Sequence, residues 1–158
     1  MSEARHGRRL LVLLGRVLRL GLRDWRHLAR AAVELLRARW CIARTPAARL
    51  LEDLRRPGPP ARPPAPSATA PERVGWALAV AARVVPWRAD CLVQAIAARR
   101  WLERERQPAD VHIGVHKTQG GHLEAHAWLR SGGVIVTGGN VDRFTPLLAP
   151  AEGPREAP

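Results

Sequence analysis

The sequence predicts an α+β fold, and three observations carry that prediction. Up to Pro108, apolar residues recur at the spacing of helices. Beyond it the period falls to two, in Val111-His112-Ile113-Gly114-Val115. Ser131-Gly132-Gly133 then divides two alternating runs as a hairpin turn does. Helices followed by an antiparallel meander are segregated rather than interleaved, which is the α+β arrangement.

Taken in order, residues 8–22 and about 24–43 read as helices with a break near Gly21. In the first, Leu10, Leu14, Val17 and Leu18 share a face that Arg9, Arg16, Arg19 and Arg23 mostly avoid. Ala47 to Leu54 reads as a short third helix. Residues 57–71 hold 7 of the chain's 14 prolines. Proline removes a backbone donor and fixes φ, so this stretch is an extended linker or loop. Glu72 to Val85 carries Val74, Leu78, Ala81 and Val85 on one stripe and is stopped by Pro86. Asp90 is a suitable N-cap for a helix running from Cys91 to about Arg106, before Pro108. Strands follow at Val111–Val115, Leu123–Leu129 and Val134–Val136. The expected organisation is a basic helical region over 1–56, the linker over 57–71, an α+β core over 72–150 and a frayed tail over 151–158.

Composition narrows the function. The 158 residues carry 26 Lys+Arg against 14 Asp+Glu, a net charge of +12, and Lys117 is the only lysine. Residues 1–56 hold 14 arginines and 5 acids, so most of the excess sits there. Six Trp, one Phe and no Tyr make a thin platform for stacking nucleobases, so nucleic acid is not the expected partner. A basic amphipathic helix suits a partner protein or an anionic membrane surface, and its plainest use is a solvated face. Arg16 and Arg19 interrupt the first apolar run, which falls short of a membrane span. No clean cleavage site follows it, so a cytoplasmic location is expected. Two cysteines cannot make a disulfide scaffold. His112, His116 and His122 lack a metal-ligand spacing, so neither a metal nor an organic cofactor is expected.

Cys91 and His126 carry the chemistry. Cys91 stands at the first turn of a predicted helix, where free backbone N–H groups and the helix dipole favour a thiolate. The plain alternative is a small buried residue. His126 lies in Ala125-His126-Ala127-Trp128 on the second predicted strand, and an imidazole there can take the thiol proton and return it to a leaving amine.

Together, Asp90-Cys91-Leu92-Val93-Gln94-Ala95-Ile96-Ala97, His112-Ile113-Gly114-Val115, Ala125-His126-Ala127-Trp128-Leu129 and Gly132-Gly133-Val134-Ile135-Val136 resemble the transglutaminase-like leader peptidases of lasso-peptide biosynthesis. The likeness is to the stand-alone peptidase half of the lasso-peptide B protein and covers roughly residues 72–148. It implies a papain/transglutaminase-like core in which a nucleophile-bearing helix packs on a small antiparallel sheet. Cys91 would be the nucleophile, His126 the general base and acid, and the Cys91 N–H an oxyanion donor. Many relatives carry an acid near Thr137-Gly138-Gly139, where this chain has none; Asn140 and Asp142 follow, and Asp142 is the expected third member.

The resemblance also implies partners: a precursor leader peptide, a separate leader-recognition protein and an asparagine-synthetase-like cyclase. Three other readings stand beside the peptidase. One is a non-catalytic scaffold that binds the precursor and partner enzymes. The second is acyl transfer to an amine, and the third is a basic helical protein acting on nucleic acid or a membrane.

Overall fold

A computed structural model describes residues 21–56, 58 and 68–148. The predicted helix over 8–22 (save its last two residues), most of the linker and the 151–158 tail lie outside the described residues. Among the described residues four helices come first: α1 (Leu22–Arg44), α2 (Ala47–Arg55), α3 (Pro71–Ala81) and α4 (Cys91–Arg104). Four strands follow: β1 (Asp110–Lys117), β2 (Leu123–Ser131), β3 (Val134–Thr137) and β4 (Thr145–Leu148). The fold is α+β, with one antiparallel sheet in the order β3-β2-β1-β4.

Each helix starts and stops for a local reason. Gly21 is extended and caps α1, which starts two residues before the expected position near 24. Thr45-Pro46 ends α1, and Pro46 in turn caps α2. Helix α3 stops at Ala81, short of the expected Val85. Its chain tightens into i→i−3 bonds from Arg83 to Val80 and from Val84 to Ala81, because Val85 precedes Pro86 and is pushed out of the helical region. Asp90 caps α4 as predicted, its carboxylate accepting from Val93 N at 3.1 Å. The same helix stops two residues before the expected Arg106. Arg106 takes a left-handed φ of 58°, while Gln107 N donates to Leu102 O and Arg106 N to Glu103 O. That double closure is a Schellman motif.

In the sheet, Gly132 and Gly133 both take positive φ and join β2 to β3 by a two-residue turn. Strand β4 was not expected. It is four residues long and contains Pro146, which has no N–H to give, and it accordingly lies at the edge, beside β1.

One core holds these elements together. Ala31, Leu35 and Ala38 recur along one face of α1 and are fully buried with Leu78, Ala97, Trp101 and Leu129. Leu54 of α2 joins the same cluster, so apolar contacts run across the proline-rich stretch. Helices α3 and α4 lie on the sheet, and α1 packs on both. Gly75 brings α3 closest: a Cβ there would stand 2.2 Å from Val136 O. Among the described residues no helix is long and apolar enough to cross a membrane.

Candidate active site

The site begins at the start of α4. With Asp90 accepting from Val93 N, and Gln94 N bonded to Asp90 O, the N–H groups of Cys91 and Leu92 are left free of helix partners. Cys91 is half-buried and unpaired. It faces a cleft of about 540 Å³ to which α3 gives Gly75 and Trp76, α4 gives Gln94, β2 gives His126, and β3 with its exit gives Thr137 and Gly138. The close approach of α3 to β3 at Gly75 forms one wall of this cleft. Cys91 also borders a second cavity of about 430 Å³ between α1 and α4, lined by Ile42, Ala43 and Leu92.

His126 is held from three sides. Phe144 stacks on its ring at 4.8 Å between centroids and 27° between planes. Trp128, two residues on along β2, stacks at 6.3 Å and 23°. The main-chain oxygen of Gly138 lies 2.8 Å from Nε2. A carbonyl oxygen only accepts, so Nε2 is the protonated nitrogen of the neutral ring, and Nδ1 keeps its lone pair. Gly114 lets this cluster close, since a Cβ there would stand 2.9 Å from the tip of the Trp128 indole.

Thus Cys91 and His126 share a cleft, while Asp142 and Asn140 stand outside it. Both are exposed, and the Asn140 side-chain oxygen accepts from Asp142 N at 3.0 Å in a local turn. Among the described residues the His126 ring bonds to Gly138 O and not to either of them. The other cysteine and the histidines of β1 do not line the cleft. Cys41 lies on α1 with its Sγ 3.8 Å from Thr45 Oγ1. His112 stacks on Trp128 at 5.6 Å, and His116 meets the Phe144 ring at 6.0 Å. A larger depression of about 820 Å³, beside Arg30, Glu34, Arg100 and Arg104, holds neither cysteine nor histidine.

Sequence reasoning missed Phe144, Gly138 as a hydrogen-bonding partner, and Thr137, whose buried Oγ1 lines the cleft without a hydrogen-bond partner. Phe144 is the only phenylalanine of the chain and directly precedes the unexpected β4, so recognising that strand would have pointed to it. A main-chain acceptor leaves no such mark, because every residue carries one.

No curated protein and no solved structure matches the chain. Residues 32–149 match the family model of the Transglutaminase-like superfamily, from within α1 to just past β4. With the match spanning most of its length and all four strands, the chain belongs to the Transglutaminase-like superfamily.

Proposed function

We propose that the chain is a cysteine peptidase that removes the leader from a ribosomally made lasso-peptide precursor. The observation that carries this reading is a thiol at a helix N-terminus and an oriented imidazole facing one cleft. The superfamily supports the cysteine chemistry, and the lasso-peptide assignment rests on the motif resemblance around Cys91, Gly114 and His126.

The reaction runs in two halves. His126 takes the Cys91 proton, and the thiolate attacks the scissile carbonyl carbon, forming a C–S bond. The electron pair moves to the carbonyl oxygen, where the Cys91 N–H at the start of α4 receives it. Collapse breaks the C–N bond, and the imidazolium protonates the leaving amine. Water, deprotonated by His126, then cleaves the thioester and restores the thiol. The cavity on the α1 side of Cys91 leaves room for a chain that continues past the nucleophile, as a precursor does. A separate leader-recognition protein would present the leader, and a cyclase would take the freed core peptide, both in the cytoplasm.

A non-catalytic scaffold is the second reading, favoured by one observation: no carboxylate contacts His126 among the described residues. Mass spectrometry of a cognate precursor incubated with the chain and a recognition protein separates the two. The peptidase cuts at one site, and Cys91→Ala and His126→Ala each lower the rate at least about 1000-fold. Precursor that stays bound and intact with the wild type would leave only the scaffold.

A further inference from the structure

We infer that the main-chain carbonyl of Gly138 is the third member of this catalytic group and does the work expected of an acid side chain. The inference rests on the peptidase reading for what His126 does, and on geometry alone for how the ring is held.

A histidine that serves as a base needs its second nitrogen occupied by an acceptor, so that one tautomer and one ring orientation persist. Gly138 O supplies that acceptor at 2.8 Å from Nε2. Two stacked rings, Phe144 and Trp128, restrict rotation out of this bond. The remaining nitrogen, Nδ1, is then the one able to take the thiol proton.

The backbone at this point admits no side chain. Gly138 has a φ of 108°, which L-residues rarely adopt, and Gly139 follows at 65°. A Cβ on Gly138 would stand 2.4 Å from the Trp128 Cβ and 3.3 Å from His126 Nε2. An aspartate in this conformation would displace Trp128 or the imidazole it was meant to orient. The glycine pair instead turns the chain out of β3 with a carbonyl aimed at the ring. Asp142, the expected third member, is exposed on the outer turn, where its main-chain N–H donates to Asn140 Oδ1. The consequence is chemical: the ring is held by a neutral acceptor, and a neutral carbonyl stabilises an imidazolium less than a carboxylate does.

Histidine-selective nitrogen-15 NMR, with His126 assigned through His126→Gln, reads this without turnover. The expected result is a single tautomer with the proton on Nε2 and a downfield, slowly exchanging Nε2 proton. Asp142→Asn should preserve both features, together with the pH profile of Cys91 alkylation by iodoacetamide. Gly138→Ala should abolish the slow exchange and lower alkylation near neutral pH about tenfold or more. If that variant fails to fold, the wild type and Asp142→Asn still decide. A proton on Nδ1, a tautomer mixture, or loss of slow exchange in Asp142→Asn overturns the inference. An uncut precursor with the expected tautomer overturns the peptidase reading and leaves this one standing.

Discussion

His112 and His126 sit on the same aromatic cluster yet serve different ends. His126 has a hydrogen-bond acceptor at Nε2, whereas His112 is stacked flat on Trp128, 8° from parallel, and partly buried. Burial, first, and the Arg130 guanidinium, second, hold the His112 pKa below the usual 6.5, with Asp110 acting weakly the other way. His27, on α1 against Trp101 of α4, is lowered too, by burial and then by Arg23 and Arg73. Both rings therefore fold best uncharged. In the unfolded chain they take up protons near 6.5, and the folded form resists this. Stability conferred by the neutral rings is complete above pH 6.5 and falls as pH drops below it toward the folded values. The melting temperature should decline between pH 7.5 and 5.5. His112→Phe, which keeps the stack and cannot titrate, should reduce that decline, and a slope equal to wild type would refute the assignment. Cys91 and His126 were legible from sequence at this scale because each has a distinctive residue type in a distinctive element. Gly138 was not, since its contribution is a backbone oxygen whose direction depends on two successive positive φ angles.

Helix limits show what local sequence can decide. The start of α4 was readable because an aspartate before a helical run announces itself chemically, and the observed Asp90–Val93 bond is the expected one. Its end was not, because the closing residue is an arginine where glycine would be the signal. Arg106 holds a φ of 58° solely to complete the closure onto Leu102 and Glu103. A left-handed arginine costs about 1 kcal/mol relative to glycine, offset in part by the greater freedom glycine has when unfolded. Arg106→Gly should raise stability by up to about 0.5 kcal/mol in urea titration and leave Cys91 alkylation unchanged, since the residue lies at the far end of α4 from Cys91. A loss of stability would mean that the arginine side chain contributes more than its backbone costs. Strand β4 escaped notice for the related reason that Pro146 forbids a central strand and permits an edge one, a choice made by β1 rather than by the local sequence.

At the scale of the molecule, composition shifts suggested a basic helical region and a core divided by prolines, and the polar contacts tie the described parts together at Glu105. Its carboxylate accepts from Trp101 Nε1 at 2.9 Å, from Arg30 of α1 at 2.5 Å and from Thr69 N at 2.6 Å. Arg30 in turn lies over the Trp101 ring at 4.4 Å, and Gln107 donates to Thr69 O at 2.9 Å. One side chain thus fastens α1, the segment entering α3, and the end of α4. Nothing in the sequence singled it out, because a glutamate near a helix end is ordinary and its partners lie 36 and 75 residues away. The carboxylate is shielded from water, so losing it strands the fully buried Trp101 N–H and leaves Arg30 unpaired. Glu105→Ala should cost about 2 to 4 kcal/mol in equilibrium unfolding. Glu105→Gln keeps one oxygen for the indole but removes the charge and sets an NH2 against the Thr69 N–H, so it should recover part of that loss. Equal destabilisation by both variants would show that the indole bond contributes little and that the charge on Arg30 and the Thr69 bond hold α1 to the α+β core. Recovery by glutamine would place the coupling in the indole bond, which needs no charge on its acceptor and is therefore insensitive to salt.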